Sequence, residues 1–300
     1  MLITDVFRYL KSRVFSEKVV LRNKVDFSFH HSDRTSTPSV AIIIPTRDRG
    51  DLLMSCVESV FSRTTYPNFE LIIIDNGSVE QRARAYLEDL ISRGVTVVRK
   101  PSKFNFSELC NLGATKTSAD YLCFMNNDTE VIEPRWLDLM VDHAIKENSG
   151  VIGSKLLYKS GEIQHIGLAF GLRGVAGHAY LGVNPDSIPK ISSDCFQVSG
   201  VTFACAVISA KKYRLLGCLD TSFRVGLNDV DFSMRAADQG FENIICSKSC
   251  LMHLESQSRL PMLSFRGAAR ATSEVVRFLK KYGLPRENFF AQDRGSDNEL

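Results

Sequence analysis

The 300-residue chain contains no apolar run of about 18 residues, the length a membrane-crossing helix needs, so no such helix is expected. Its first 20 residues also lack the continuous apolar stretch of a secretory signal, and the protein is expected to stay in the compartment where it is made. The eight cysteines (Cys56, Cys110, Cys123, Cys195, Cys205, Cys218, Cys246 and Cys250) never form a Cys-x-x-Cys pair. Reduced core thiols are expected, and a disulfide scaffold is not. Cys246, Cys250 and His253 are soft donors close in sequence, but a Cys-x3-Cys spacing without a clear fourth ligand is a weak zinc signature. Excess charge of one sign is scarce as well. The formal net charge is +3, and residues 1–38 supply all of it, with seven Lys or Arg against Asp5, Glu17, Asp26 and Asp33. The near-neutral remainder argues against a nucleic-acid-scale basic surface. Also missing are a Gly-x-Gly-x-x-Gly turn after the first strand, a Gly-x4-Gly-Lys-Ser/Thr loop and a Gly-x-Ser-x-Gly elbow. Dinucleotide binding, P-loop chemistry and an α/β-hydrolase are disfavoured accordingly.

With 44% hydrophobic and 24% charged residues, the chain has enough apolar material for a sizeable core. Residues 1–20 place Ile3, Phe7, Leu10 and Val14 at helical spacing, with Arg8, Lys11, Arg13 and Lys18 largely between them. This basic amphipathic stripe has two readings: docking on an anionic membrane surface, or packing on the body of the protein or on a second subunit. Residues 28–38 read as a linker, so residues 1–37 form an N-terminal helix and linker.

From Val40 the pattern changes to strands alternating with helices. "SVAIIIP" reads as a buried parallel strand, followed by a helix through Leu52, Leu53, Cys56, Val57 and Val60. "FELIIID" ends at Asp75, a helix covers about 80–93, and "VTVV" spans 95–98. A helix from Phe106 to Lys116 and the strand "DYLCFM" follow, then a helix near 134–147. This alternation predicts an α/β fold with a mostly parallel sheet flanked by helices. Beyond it come strand-like segments near 151–158 and 162–170, a Gly-rich stretch at 171–182 and a loop at 183–195. The strand "FACAVI" and a helix from Asp229 to Gln239 complete a single domain over 38–260. Residues 261–300 hold a C-terminal helix, its apolar face formed by Phe265, Ala268, Thr272, Val275, Leu279 and Tyr282, and a polar tail.

In such sheets ligands bind beyond the carboxyl ends of strands. Three of those ends carry polar clusters: Pro45-Thr46-Arg47, Asp75-Asn76-Gly77-Ser78 and Asn126-Asn127-Asp128. A carboxylate there suits Mg²⁺ or Mn²⁺ bridging a diphosphate, although Asn-Asn-Asp is also a good turn and helix cap. "NDVDF" puts Asp229 and Asp231 near a helix start, where Asp229 is either a capping residue or a general base for an acceptor hydroxyl. His253 is either a satisfied core histidine or a nitrogen ligand completing a metal site.

The ordered set "AIIIPTRDR", "ELIIIDNGS", "FNFSELCNLGA", "YLCFMNNDTEVI", "GEIQHIGLAFG", "VAGHAYLG", "NDVDFSMRAADQG" and "MHLESQSR" resembles the family 2 glycosyltransferases, especially bacterial cell-surface polysaccharide enzymes. The resemblance covers about residues 38–260. It implies a GT-A fold and inverting transfer of a sugar from a nucleotide-diphosphate sugar to a hydroxyl of a glycan or lipid-linked glycan. Pro45, Thr46 and Arg47 then match the first nucleotide-contacting loop and Asp75 the carboxylate accepting from the base. Asn105 and Asn111 fall near the nucleotide, and Asn126, with Asn127 beside it, replaces the first acid of the Asp-x-Asp motif. Asp128 matches the metal ligand, His253 a further one and Asp229 the catalytic base, while Gln164, His165 and His178 fall in stretches shaping the sugar pocket. Two departures are Phe203, where a Gly is usual and a bulky ring is expected to narrow the cleft, and Leu254, where a second His is common.

Two alternatives stay open at this level: a catalytically silent sugar-nucleotide-binding or scaffold domain, and a sugar nucleotidyltransferase. No nucleic-acid partner is expected. The expected location is the cytoplasm, extending to the inner face of the cytoplasmic membrane if residues 1–20 dock there.

Overall fold

The computed structural model describes residues 37–171, 175–188, 195–254 and 265–283. The amphipathic stripe of residues 1–20 lies outside them. β1 (Val40–Thr46) leads into α1 (Gly50–Arg63), β2 (Phe69–Asp75) into α2 (Gln81–Ser92), and β3 (Thr96–Arg99) into α3 (Phe106–Ala114). β4 (Tyr121–Met125) and the short β5 (Thr129–Val131) precede α4 (Trp136–Ala144). The second half holds β6 (Ser149–Leu157), β7 (Ile163–His165), β8 (Leu168–Phe170), β9 (Ala176–His178), β10 (Cys195–Val198) and β11 (Cys205–Ser209). α5 (Ala210–Leu215), α6 (Asn228–Asp238), β12 (Glu242–His253) and α7 (Phe265–Tyr282) complete it.

The main sheet runs β10-β12-β6-β11-β4-β1-β2-β3. Its β4-β1-β2-β3 portion is wholly parallel, as the strand–helix alternation requires. Past β4 the sheet becomes mixed, because β11 lies antiparallel to both β4 and β6 while β12 lies parallel to β6. Every residue of β1 is buried. Since side chains alternate across a strand, Ile42 and Ile44 join Leu53, Val57 and Trp136 in the core on one face, and Ala41 and Ile43 join Leu109, Phe124 and Phe232 on the other. Each such aliphatic side chain stabilises the fold by about 1.5–3 kcal/mol. A Cβ on Gly113 would stand 2.4 Å from Ile43 Cγ2, so only glycine lets α3 lie flush on this strand.

Three sequence expectations need correcting. The longest strand, β12, lies where none was expected. Residues 162–170 form two strands around a turn at Ile166–Gly167. Phe203 does not narrow a cleft: it is 2% exposed, with its ring centroid 5.2 Å from that of Phe124 and 5.5 Å from that of Phe232.

α7 packs on α6, but through a face rotated from the apolar stripe read in the sequence. Among its described side chains, those of residues 271–282, the buried ones are Glu274 and Phe278, whereas Val275 and Leu279 are half-buried. Asp231, wholly buried in α6, is the centre of the contact. One of its oxygens takes Arg235 Nε at 3.0 Å, and the other takes Lys281 Nζ and Tyr282 Oη, each at 2.6 Å. Removing that charge strands Arg235 and Lys281, although Lys281, 37% exposed, regains some water. Asp231→Asn is therefore expected to lower the unfolding free energy by about 2–4 kcal/mol, read from the urea midpoint at constant slope.

Candidate functional site

The three polar strand ends predicted from the sequence do converge. Thr46 is the register partner of Asp75, and Asn127 Nδ2 donates to Thr46 Oγ1 at 2.9 Å, closing the gap from β4 to β1. The turn after β1 is held in the left-handed conformation at Asp48 (φ 54°) and Arg49 (φ 52°), which ordinary residues adopt rarely. Asp48 Oδ1 repays that strain by accepting from Val79 N at 2.7 Å and Glu80 N at 2.9 Å. Those amides, that of Glu80 above all, hold its carboxyl below the usual range. Arg47, half exposed, points only a weak 3.9 Å contact at Asp48. Asp75 is buried, with one oxygen on Ser78 N at 2.7 Å and the other on Arg99 Nη1 at 3.0 Å.

The tightest cluster joins Asp128 and His253, 125 positions apart. β12 pairs antiparallel with β5 so that His253 faces Thr129, and Leu254 N donates to Asp128 O at 2.8 Å. His253 Nε2 then lies 3.0 Å from Asp128 Oδ1 and 3.2 Å from Asn126 Nδ2. Gln164 reads both ends of the same histidine. Its Nε2 donates to His253 O at 3.3 Å, and because a carbonyl only accepts, the amide orientation is fixed with Oε1 toward His253 Nδ1. The network thereby assigns the proton to Nδ1. Nε2 then accepts from Asn126 Nδ2 and its lone pair also faces a carboxylate oxygen, an encounter that positive charge between the two, a proton or a divalent ion, would stabilise. The donor set fits an ion: an imidazole nitrogen and a carboxylate oxygen, both buried, at a separation matching adjacent ligands on an octahedral ion with bonds of about 2.1 Å.

A second histidine pair adjoins this cluster. His165 Nε2 accepts from Thr202 N at 3.3 Å, so its Nδ1 carries the proton donated to His178 Nδ1 at 3.1 Å. His165 is 1% exposed, and that desolvation, reinforced by His178 and His253, keeps it neutral well below its ordinary titration range.

Asp229 lies in the first turn of α6 and is not its cap. The cap position belongs to Leu227, left-handed at φ 61°, and Asp229 Oδ1 accepts from Val230 N at 2.9 Å. The approach to this turn is fixed by a residue the sequence reading missed. Glu274 of α7, 5% exposed, accepts from three successive amides: Arg224 at 2.8 Å, Val225 at 3.2 Å and Gly226 at 3.0 Å. No local spacing signals that role, since 48 residues separate Glu274 from Gly226.

Asn105 and Asn111 are taken up by tertiary ties. Asn105 caps α3 through Glu108 N and donates to Thr221 O, while Asn111 bonds both the N–H and the carbonyl of Leu219. Cys246, Cys250 and His253 do not gather into a metal cluster among the described residues. Three buried polar atoms lack a partner there: Asn76 Oδ1, Asn228 Nδ2 and Ser247 Oγ. Asn76 and Asn228 adjoin Asp75 and Asp229.

The chain matches the model of glycosyl transferase family 2 over residues 41–212. It is 35% identical over 226 residues to the O-antigen biosynthesis protein RfbC of Myxococcus xanthus, covering 74% of this chain and 18% of that protein. It is 38% identical over 229 residues to protein y4gI of Sinorhizobium fredii, covering 74% of this chain and 25% of the relative. The chain thus spans about a fifth to a quarter of these curated relatives. Among solved structures it resembles GalNAc-T7 with UDP, GalNAc and Mn²⁺ (TM-score 0.66, 15% identity, 82% of this chain and 48% of that one). It also resembles the Pyrobaculum calidifontis mannosyltransferase PcManGT with GDP-Man and Mn²⁺ (TM-score 0.60, 13% identity, 95% and 72%).

His165 yields a pH prediction. Its folded-state pKa is depressed, so below about pH 6.5 the unfolded chain binds a proton that the folded chain refuses, and stability falls as pH falls. His165→Gln is expected to flatten the decline in urea midpoint between about pH 7.5 and 5.5; an unchanged slope would show that His165 is not held neutral.

Proposed function

The chain belongs to glycosyl transferase family 2, and on that premise we propose that it transfers a sugar from a nucleotide-diphosphate sugar to an acceptor hydroxyl with inversion, in the assembly of cell-surface polysaccharide. Its GT-A fold is shared with both solved neighbours. The observation that carries the reading is the Asp128–His253–Gln164 arrangement, a preset pair of ligand atoms at the carboxyl end of β4. The O-antigen relative supports the polysaccharide role.

In the proposed reaction Asp128 and His253 would hold Mg²⁺ or Mn²⁺, which would supply Lewis acidity to the departing diphosphate. Gln164 keeps the His253 proton on Nδ1, so that Nε2 presents a lone pair to a ligand. The loop carrying Thr46 and Arg47, with Asp75 beside it, receives the nucleotide. Asn76 Oδ1 and Asn228 Nδ2, each costing about 1–3 kcal/mol while unpaired and buried, support ligand binding at both loops. Asp229 accepts the proton of the attacking hydroxyl as that oxygen bonds to the anomeric carbon and the bond to the diphosphate breaks. Gln164, His165 and His178 border the sugar. No covalent enzyme intermediate is required.

Two sets of measurements test this. Asp229→Asn keeps size and polarity but removes basicity, so turnover is expected to fall about 10²–10⁴-fold with donor affinity unchanged. An active variant would refute the assignment. Asp128→Ala is expected to abolish Mn²⁺-dependent donor binding, and Gln164→Met to weaken Mn²⁺ affinity by about 10–100-fold, both measured calorimetrically. Wild-type turnover in excess chelator would overturn the metal assignment.

A further inference from the structure

Far along the sheet from Asp128, Cys195 and Cys246 face each other across the outermost pair of strands. They are direct register partners on antiparallel β10 and β12. Residues so opposed have Cα atoms about 4.5–5.5 Å apart, inside the roughly 4.4–6.8 Å range that a disulfide spans without moving the backbone. The side chains use that opportunity, because the two Sγ atoms stand 2.9 Å apart with Cys195 donating its S–H to Cys246. The two sulfurs thus face each other directly, with no other atom between them.

The setting distinguishes these two thiols from the other six. Cys56, Cys110 and Cys123 are buried in the core, where desolvation raises each thiol and keeps it unreactive. Burial also raises Cys218 and Cys250. Cys246 is the opposite case: the Cys195 S–H bond, the largest cause, holds its thiol below the ordinary value although it is 1% exposed. Cys195 itself is half-buried, the more open residue of the two.

His143 of α4 adds a third donor, its ligating nitrogen within 4.8 Å of both sulfurs, which raises zinc as the competing occupant. Two features weigh against it. Thiolates sharing a tetrahedral zinc at about 2.3 Å lie roughly 3.8 Å apart, well beyond the separation found. The Lys146 ammonium, 3.3 Å from His143 Nδ1, also brings positive charge to the cluster, which favours a thiolate and opposes a second cation.

We propose that Cys195 and Cys246 form a reversible thiol–disulfide site, oxidised by a peroxide. Cys195 gives its proton to solvent and its thiolate attacks one peroxide oxygen; the O–O bond breaks, leaving a sulfenic acid on Cys195 and hydroxide, which takes up that proton as water. Cys246 then gives its own proton to solvent and its thiolate attacks the Cys195 sulfur, expelling hydroxide, which takes up the second proton. Two thiols and one hydrogen peroxide give one disulfide and two waters, the protein losing two electrons and two protons. The bond ties the edge strand β10 to β12. From β10 the chain continues through Val198 to Thr202, whose amide fixes His165, so oxidation stiffens the backbone behind that histidine.

The test uses the full chain, purified under reductant, freed of it, and treated with equimolar hydrogen peroxide. Thiol titration under denaturing conditions should fall from eight to six, peptide mapping should recover Cys195 linked to Cys246, and dithiothreitol should restore all eight. Cys195→Ser should form no disulfide and keep its seven remaining thiols. The proposal is overturned if eight thiols persist, if a different pair links, or if either cysteine oxidises onward without bridging. It is equally overturned if the purified protein carries one equivalent of zinc that Cys195→Ser loses.

Discussion

A lone pair on an imidazole nitrogen and a carboxylate oxygen 3.0 Å away repel unless positive charge stands between them, and this fold forces Asp128 and His253 into that encounter. Neither side chain chooses the geometry. β12 pairs with β5 on one side and with β6 on the other, so the position of His253 is set by backbone hydrogen bonds in two directions. Gln164, on the short β7 paired to β6, then grips the imidazole from behind. The lone pair is thus presented before any ligand arrives, and the reorganisation that would otherwise weaken ion binding is already made during folding.

The same economy governs the start of α6. A leucine held left-handed at its cap is strained by about 1–3 kcal/mol, and such strain persists only where neighbours over-determine it. Here the neighbours are Glu274, which gathers the three amides just before Leu227, and the Asp231 ion cluster just after it. Both come from contacts with α7. The C-terminal helix is therefore part of what fixes the backbone at Asp229, although it lies beyond the stretch that resembles the family.

The first half of the fold was legible because its information is local. β1, β2 and β4 each hold a run of four or five consecutive apolar residues, and β1 and β2 lead straight into a helical period. β12 escaped notice because its apolar pattern is interrupted by Ser247-Lys248-Ser249, where the ladder to β6 shifts register between Cys246 and Cys250. Two of those residues are buried serines, which no hydrophobic pattern can reveal. The face of α7 was misread for a related reason: its buried line contains Glu274, a charge made tolerable only by amides some 50 positions away. Acids at strand ends could be picked out by position and chemistry together. The partners that set their state, such as Gln164 for His253, lie 89 residues apart and become visible only when the strands are paired.

Charge accounts for why the site is built this way. The net +3 comes from the first 38 residues, so residues 39–300 carry no net charge with which to attract an anion. At the strand ends Arg99 is committed to Asp75, and Arg47 is half exposed beside Asp48, where water and salt screen it. Asp75, Asp128 and Asp229 meanwhile add negative charge near the nucleotide and sugar of the proposed donor. In the proposed reaction a diphosphate gains little attraction at long range there and has to be neutralised chiefly at contact distance. A divalent ion held by Asp128 and His253 would do so where the Coulomb term is largest and salt screening least. It would also confine the attraction to the leaving group, placing positive charge where negative charge develops.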